Sequence, residues 1–234
     1  MRSVVLGRAA RFLATILLAA CAADAARAAD ASKSSEGKPD ANGWIDLLAG
    51  DHLDLWQKPG AEKWQLADGV LAWQKGCGSL WTRRVFGDFT VDLEFKCAKN
   101  SNSGVYLRGP VGGWHGLEIQ VYHSYGKRKP GKHDTGAIYD CLEPSAAAEK
   151  PIGEWNHLVI TFVGNRLKVV LNDQPIVDAD LDRWKDLHQN PDGTSNKFDW
   201  PIKDLPKTGH VGLQDHGTPI WYRKIRIKGI GARG

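Results

Sequence analysis

The stretch "GLEIQVYH", residues 116–123, decides the fold that this sequence predicts. Apolar and polar residues alternate along it, in the order Leu117, Glu118, Ile119, Gln120, Val121 and Tyr122. A period of two residues is typical of a β-strand that buries one face. The other face carries a carboxylate, an amide and a phenol, whereas a strand face that only meets solvent usually carries Lys, Thr or Ser. We therefore treat this polar face as a candidate site.

Seven further runs have the same strand-like character, with Gly, Asn and Asp between them. They are residues 89–97, 103–109, 135–141, 155–164, 166–173, 210–217 and 220–229. Gly164-Asn165 between two runs predicts a tight hairpin, and residues near 181–187 predict one helical turn. Many short antiparallel strands in one domain predict an all-β fold, as a two-sheet antiparallel β-sandwich or a barrel. Three long loops, which are typical of functional or mobile segments, connect the runs at 109–115, 124–134 and 183–209.

Residues 1–28 have the features of an export signal, with three arginines before an apolar run that is too short to span a bilayer. Residues 26–28 are typical of a simple export site, whereas the residues ending at Cys21 also fit a lipoprotein site with an acylated cysteine. Small polar residues at 29–42 predict a linker, and residues 43–230 predict one β-domain. We expect an exported protein, periplasmic or extracellular, without a transmembrane helix in the mature chain and with a lipid anchor at Cys21 as the alternative.

The net charge comes mainly from the export signal. The chain has 31 Lys and Arg against 27 Asp and Glu, and residues 1–28 contain four Arg and one Asp, so 27 and 26 remain. This balance gives no reason to expect a nucleic-acid partner. Cys77, Cys97 and Cys141 remain after export, an odd number with no metal-ligand spacing, so at most one disulfide can form and we assign the thiols no catalytic role.

Strand parity places planar hydrogen-bonding side chains on one side of several strands. They are Tyr106, Arg108, Glu118, Gln120, Tyr139, Gln214 and His216. Forked polar groups suit paired hydroxyls, and aromatic faces suit the apolar face of a sugar ring. Trp81, Trp114 and Trp221 lie close to these strands in sequence, so the pattern predicts a carbohydrate groove. The alternative is that these residues are ordinary outward side chains, that the tryptophans belong to the core, and that the loop residues His115, His123, His133 and Asp134 are merely solvated.

Five sequence blocks resemble one protein family. They are "SGVYLRG", "GLEIQVYH", "TGAIYD", "GEWNHLVI" and "GHVGLQDHG", and in this order and spacing they resemble the 3-keto-disaccharide hydrolase domain over residues 43–229. The resemblance implies a jelly-roll sandwich of the concanavalin A-like lectin/glucanase type, in which a concave sheet holds a sugar. It also implies an enzyme that cleaves 3-keto-glycosides.

Family-16 glycoside hydrolases share that sandwich and carry Glu-x-Asp-x-x-Glu on one strand of the groove. Here the spacing is Glu118-x-Gln120-x-x-His123, and the three groups share a face if the strand bulges before His123. A retaining glycosidase needs two carboxylates about 5–5.5 Å apart, and this strand has one. The 3-keto-disaccharide hydrolase family often has an acidic residue at the last position of this spacing, so His123 departs from the family pattern.

The resemblance implies elimination chemistry, in which a base removes the C2 proton of a 3-keto sugar, the C1 oxygen leaves and water then adds. We expect Glu118 to be the base, Gln120 and Arg108 to hold the sugar or the enolate, and His216 to protonate the leaving oxygen. The reverse assignment, with His216 as the base and Glu118 as the acid that protonates the leaving oxygen, fits equally well. The remaining predicted substrate contacts are Tyr106, Trp114, Tyr139 and Gln214.

Two further functions and a metal stay open as alternatives. The first function is a lectin-like carbohydrate-binding module without catalysis, and the second is a conventional β-glycosidase of the glucanase type. No motif in the sequence indicates a required cofactor. A divalent metal is the alternative, either a structural Ca²⁺ near residues 190–196 or a catalytic transition metal, for which His123, His133 and Asp134 are weak candidate ligands.

Overall fold

The computed structural model describes residues 37–57, 63–112 and 116–231. The predicted export signal with Cys21, residues 29–36 of the predicted linker, and Trp114 and His115 lie outside the described residues. Within the described part of the chain, no helix has the length and apolar character that crossing a membrane requires.

The described secondary structure consists of thirteen β-strands and three short 3-10 helices. The strands are β1 (Trp44–Asp46), β2 (Trp56–Gln57), β3 (Gln65–Ala67), β4 (Val70–Ala72), β5 (Leu80–Thr82), β6 (Phe89–Cys97), β7 (Asn102–Gly109), β8 (Leu117–Tyr122), β9 (Trp155–Val163), β10 (Arg166–Leu171), β11 (Gln174–Asp180), β12 (His210–Leu213) and β13 (Ile220–Gly229). The 3-10 helices are Ala49–Asp51, Leu181–Arg183 and Ile202–Asp204.

The strands form two antiparallel sheets. An eight-stranded sheet has the order β11-β10-β9-β6-β13-β4-β3, with β1 also paired to β13, and a five-stranded sheet has the order β2-β5-β12-β7-β8. One hydrophobic core contains residues of both sheets, such as Leu93 and Ile160 from the larger and Val105 and Ile119 from the smaller. The predicted two-sheet β-sandwich is therefore confirmed, because each sheet buries its alternate residues against the other.

Strand prediction succeeded where alternation was long and failed where strands were short. The hairpin at Gly164-Asn165 is confirmed by the pairing of Val163 with Arg166, and the helical turn after residue 180 appears as Leu181–Arg183. The sequence did not predict β1 to β5 or β11. Strands of two or three residues show no period, and β5 is buried at every position.

The prediction of a strand at residues 135–141 was wrong. Gly136 and Asp140 have left-handed φ values of 88° and 66°, which interrupt an extended chain. The segment instead bonds along the free edge of β8: the Gly136 amide donates to the Gln120 carbonyl (2.8 Å), and the Tyr139 amide donates to the Glu118 carbonyl (2.9 Å). These turns therefore cover the edge strand, which would otherwise present unpaired backbone groups.

The three cysteines of the described residues are free and buried. Burial raises the pKa of the Cys77 thiol to about 11 and that of the Cys141 thiol to about 12, and it also raises the pKa of Cys97. Thiols with raised pKa values are poor nucleophiles, because the thiolate is the reactive form.

Arg108 does not lie on the side of the sheet that strand parity predicts. The pairing of β7 with β12 shifts between His210 and Gly212, and Arg108 has a left-handed φ of 52°. This bulge turns the side chain between the two sheets, where it is fully buried and its guanidinium lies 3.7 Å from the centre of the Phe162 ring. The strand-parity prediction for Arg108 was therefore wrong, and its expected role in holding a sugar or an enolate stays a prediction that this buried position does not support.

The buried guanidinium of Arg108 joins the two sheets through its hydrogen bonds. It donates to the Gly87 carbonyl (2.9 Å), the Gly164 carbonyl (2.7 Å) and Oδ1 of Asp88 (2.9 Å). The same Asp88 oxygen accepts from the Gly164 amide (2.8 Å). Asp88 therefore neutralises a charge that the protein has removed from water.

We expect Asp88→Ala to lower the free energy of unfolding by about 2–4 kcal/mol, because it leaves a buried cation without its counter-ion. Urea unfolding of the two proteins measures the difference. The matched control is Asp178→Ala, which breaks an ion pair with Arg166 whose partners are both about half exposed and should cost at most about 1 kcal/mol. Equal losses in both variants would contradict this account of Arg108.

Candidate active site

Four side chains from three parts of the smaller sheet form the polar face, our name for Tyr106, Glu118, Gln120 and Gln214. Tyr106 on β7 lies directly opposite Glu118 on β8, and Gln120 lies opposite Gly104. Gln214 follows β12. Its backbone N–H donates to the Gly104 carbonyl (2.9 Å), and its side-chain Nε2 donates to the Tyr106 hydroxyl (2.7 Å). The structure thus brings together four of the residues that the sequence placed on one face.

Glu118 and Gln120 of the polar face are buried, and Tyr106 and Gln214 are half-buried. Glu118 is only 4% exposed and Gln120 only 3% exposed, because β7 flanks them on one side and the turns at 136–139 on the other. Ordinary outward side chains of an amphipathic strand would be exposed. The burial of a carboxylate and an amide side by side therefore marks this part of the sheet as a site.

Gly104 makes room for the Glu118 side chain. A Cβ atom at position 104 would lie 2.2 Å from Oε1 of Glu118 and 2.8 Å from its carboxyl carbon. No side chain larger than hydrogen fits at that spacing, so the carboxylate packs directly on the backbone of β7. The glycine in "SGVYLRG" thus has a steric role, in contrast to the turn glycines of this chain.

Amide groups hold the Glu118 carboxylate. When the Gln120 side-chain amide is oriented with its nitrogen toward Glu118, it donates to Oε1 (3.1 Å) and to the Ser103 carbonyl (2.9 Å). The Gln214 side chain also hydrogen-bonds the carboxylate. The carboxylate is therefore oriented by two neutral donors, which can equally hydrogen-bond the hydroxyl groups of a ligand.

The electrostatics of the site favour a carboxylic acid that titrates near neutrality. Burial raises the pKa of Glu118 to about 7, and the Lys197 ammonium and the hydrogen bond from Gln214 only partly oppose this rise. Burial, together with the Glu118 charge, also raises the pKa of Tyr106 to about 12. Near neutral pH, Glu118 can therefore both accept and release a proton, while Tyr106 remains a neutral hydroxyl.

An aromatic stack continues the polar face. The Trp81 and Tyr106 rings are parallel, with centroids 5.0 Å apart. They lie over Gly212, where an added Cβ would come within 2.8 Å of the indole. Trp81 is only 1% exposed, so it is not an open platform for a sugar, and Trp221 belongs to the other sheet with the Lys96 ammonium 5.1 Å from its ring centre.

Two buried polar atoms at this site have no hydrogen-bond partner within the described residues. They are Nε1 of Trp81 and Oε1 of Gln214. Buried polar atoms in folded proteins are almost always paired, with protein groups or with water. An unpartnered donor on Trp81 and an unpartnered acceptor on Gln214 are therefore consistent with a site that completes its hydrogen bonds with a ligand or with water.

Lys197 is a site residue that the sequence reasoning missed. Its Nζ lies 4.4 Å from the centre of the Tyr139 ring, and its charge acts on the Glu118 carboxylate. The His133 ring packs on Tyr139 with centroids 4.7 Å apart, and His133 Nε2 pairs with Asp140 Oδ1 (3.0 Å). The length of the loop at 183–209 predicts a functional or mobile segment, but no period or motif within it distinguishes Lys197.

No hydrogen bond or ion pair joins His123 or His216 to Glu118 within the described residues. The pairing of β7 with β8 runs from Leu117 to Tyr122 without a shift, so the bulge that would bring His123 onto the face of Glu118 and Gln120 is not present in this strand. His123 follows the strand, and its Nδ1 accepts from the Asn100 amide at 3.4 Å. His216 is exposed on the turn after β12, beyond the last residue to which strand parity applies.

The residues considered as metal ligands have other partners. Asp134 pairs with Lys127 (2.5 Å) and accepts from the Gly131 amide, and Asp192 in the 190–196 turn pairs with Lys132 (2.9 Å). In residues 37–57, 63–112 and 116–231, no three His, Cys, Asp or Glu side chains are grouped in a way that could hold a metal ion. The metal alternatives therefore stay predictions.

The arrangement suits proton transfer to and from carbon or oxygen. Glu118 has an ammonium and two amides as its described electrostatic and hydrogen-bonding partners. A retaining glycosidase would instead need a second carboxylate at about 5–5.5 Å. One buried acid with a pKa near neutrality is what a general base requires, because its proton affinity then matches the operating pH.

Comparisons with known proteins agree with the fold and with the sequence blocks. The chain is 25% identical over 233 residues to a 3-keto-disaccharide hydrolase of Bacteroides thetaiotaomicron, an alignment that covers 81% of this chain and 79% of the relative. A crystal structure of a candidate glycosyl hydrolase from Parabacteroides distasonis superposes with a TM-score of 0.72 at 32% identity, covering 80% of this chain and 99% of that one. A second candidate glycosyl hydrolase from the same organism superposes with a TM-score of 0.62 at 27% identity, covering 80% and 84% of the two chains.

A sequence model of one family, described as a 3-keto-alpha-glucoside-1,2-lyase-like domain, matches residues 43–228. The match includes all thirteen strands except the last residue of β13, and it includes every member of the polar face. The chain therefore belongs to the family of 3-keto-alpha-glucoside-1,2-lyase-like domains.

Proposed function

We propose that this protein is a carbohydrate-active hydrolase that cleaves 3-keto-glycosides by elimination followed by hydration. Family membership and the relative named as a 3-keto-disaccharide hydrolase support the reaction class and the substrate class. The observation that carries the mechanism is the single buried carboxylate of Glu118, whose pKa burial raises to about 7.

The reaction needs one base because the substrate carries its own activating group. Glu118 takes the C2 proton, and the C2–H electron pair moves to the C3 oxygen as an enolate. The pair then returns to form the C1–C2 double bond while the C1–oxygen bond breaks, and the leaving oxygen takes up a proton. Water finally adds across the double bond, with its oxygen at C1 and its hydrogen at C2, so the net change is hydrolysis without an oxocarbenium ion.

The remaining members of the polar face bind and orient the sugar. Gln120 and Gln214 offer forked amides, and Tyr106 offers a neutral hydroxyl beside the base. Tyr139, half-buried at the rim, offers an aromatic ring. His216 stays the predicted proton donor to the leaving oxygen, on an exposed turn next to Gln214.

The residue 1–28 pattern supports export to the periplasm or beyond, with acylation of Cys21 as the alternative. A metal that polarises the C3 carbonyl also stays an alternative to protein groups. A lectin-like module would need no acid poised near neutrality, and a conventional β-glycosidase would need a second carboxylate beside Glu118.

The first experiment compares a 3-keto-glucoside with its unoxidised parent, with and without a chelator. We expect release of the aglycone from the keto substrate only, and a loss of about 10²–10⁴-fold in Glu118→Gln because the base is removed. Glu154→Gln, at an exposed carboxylate just before β9, is the matched control and should retain activity. Release from the parent would favour the glycosidase, binding without release would favour the lectin, and inhibition by the chelator would favour the metal.

The raised pKa of Glu118 predicts how activity and stability depend on pH. Activity (kcat/KM) should rise with an apparent pKa of about 7 as Glu118 ionises. The folded state binds more protons at Glu118 than the unfolded state between the ordinary glutamate pKa of 4.5 and the raised pKa of about 7, so this group destabilises the protein progressively as pH rises through that range.

Glu118→Gln removes that penalty. We expect the free energy of unfolding of the variant, relative to wild type, to increase by on the order of 3 kcal/mol between about pH 4 and about pH 8. Urea unfolding at both pH values measures it, and effects that do not depend on pH cancel in the comparison. A difference that stays constant with pH would contradict the raised pKa.

Gly104→Ala tests the packing of the base on β7. The added methyl group should displace the Glu118 carboxylate, lower the stability by about 1–3 kcal/mol and reduce kcat/KM. Gly229→Ala in β13 is the control, because a Cβ there meets nothing within 4 Å. Wild-type activity in Gly104→Ala would show that the position of the carboxylate does not matter.

A further inference from the structure

The proposed reaction places negative charge on the C3 oxygen of the substrate, and the site needs a group to stabilise it. The sequence suggested Arg108, whose guanidinium lies between the sheets in contact with Asp88 and Phe162. Gln120 and Gln214 are neutral. The cation that acts on Glu118 in the described residues is Lys197.

Lys197 lies at the rim of the polar face, on the side of the covering turns. Its Nζ is 4.4 Å from the centre of the Tyr139 ring and 5.4 Å from the centre of the Phe198 ring. The backbone N–H of Tyr139 donates to the backbone carbonyl of Glu118 at 2.9 Å. Tyr139 therefore contacts Lys197 with its ring and Glu118 with its backbone. The ammonium and the carboxylate therefore border the same part of the site from different elements.

The backbone on both sides of Lys197 is held in place, while its side chain is exposed. Asn196 and Phe198 are buried, the Phe198 amide donates to Asn196 Oδ1 (2.9 Å), and Asn196 Nδ2 donates to Asn190 Oδ1 (3.0 Å). Asn190 in turn donates to the Asp140 carbonyl at 3.1 Å, next to Tyr139. This network attaches the loop to the covering turns, so the position of Lys197 relative to Glu118 is set by the fold.

We propose that Lys197 is a catalytic residue that hydrogen-bonds the C3 carbonyl oxygen of the 3-keto sugar and stabilises the enolate as Glu118 removes the C2 proton. This inference rests on the proposed function. The ammonium keeps its protons throughout: the C2 proton moves to Glu118, the electron pair moves to the oxygen beside Lys197, and it returns when the C1–oxygen bond breaks. The step needs no oxidant, reductant or co-reactant.

The same charge has a second effect that a purely structural lysine would not have. Lys197 lowers the pKa of Glu118 against the larger rise that burial causes. Its removal should therefore raise the pKa of the base and move the acidic limb of the pH–rate profile to higher pH. Loss of rate and movement of this limb together would indicate that Lys197 acts on the charge of the site.

The test compares Lys197→Met and Lys197→Arg with wild type on a 3-keto-glucoside. Aglycone release and incorporation of solvent deuterium at C2, followed by NMR, report on cleavage and on enolate formation separately. We expect Lys197→Met to lose about 10²–10³-fold in both, as with the removal of other groups that stabilise an oxyanion, and Lys197→Arg to recover part of the loss. Lys168→Met, at an exposed lysine of β10 in the other sheet, is the matched control and should behave as wild type.

Thermal unfolding of each variant establishes that it is folded, which is expected because the Lys197 side chain is exposed. Activity of Lys197→Met within twofold of wild type would overturn the inference and leave the proposed function intact. Loss of release with normal deuterium exchange would also overturn it, since Lys197 would then act on the leaving oxygen and not on the enolate. If wild type neither exchanges nor cleaves, the proposed function itself fails and this inference fails with it.

Discussion

The burial of one carboxylate against a glycine backbone is the constraint on which this site depends. Glu118 packs on Gly104, at a distance that leaves no room for any side chain on β7 at that position. Its burial also requires a cover on the other side of β8, and the turns at 136–139 supply it by hydrogen-bonding to the strand edge. The turns at 136–139 therefore both protect the edge of the sheet and provide the low-dielectric surroundings of Glu118.

The two buried ionisable groups of the smaller sheet, Arg108 and Glu118, differ in how fully their partners compensate the loss of water. Arg108 is paired with Asp88 and bonded to two carbonyls, so it joins the sheets as a satisfied cation. Glu118 has amide donors and a cation at the rim, and these do not compensate for its loss of water, so its pKa rises to about 7. Paired buried charges serve structure, whereas an incompletely compensated one can exchange a proton near neutral pH.

This contrast is what the proposed elimination chemistry would require of a two-sheet sandwich. A two-carboxylate glycosidase must generate its own leaving-group activation and a stabilised cation at C1. A 3-keto substrate brings an acidic C2 proton, so the protein can work with one tuned carboxylate and a group that meets the enolate charge. The arrangement of Glu118 with Lys197 across Tyr139 matches these two requirements.

The period of two residues, a local property of the chain, predicted an antiparallel sandwich or barrel and the face on which Glu118 and Gln120 lie. The resemblance of five sequence blocks to one family then implied the sandwich. The same parity rule failed at Arg108, where a left-handed residue and a register shift turn the side chain into the core. It also failed at residues 135–141, where positive φ angles replace a strand by turns. Only the tertiary structure decided that Glu118 is buried and that Lys197 lies near it. Burial depends on what another segment covers, and Lys197 reaches the site from a loop that has no period and is 79 residues further along the chain.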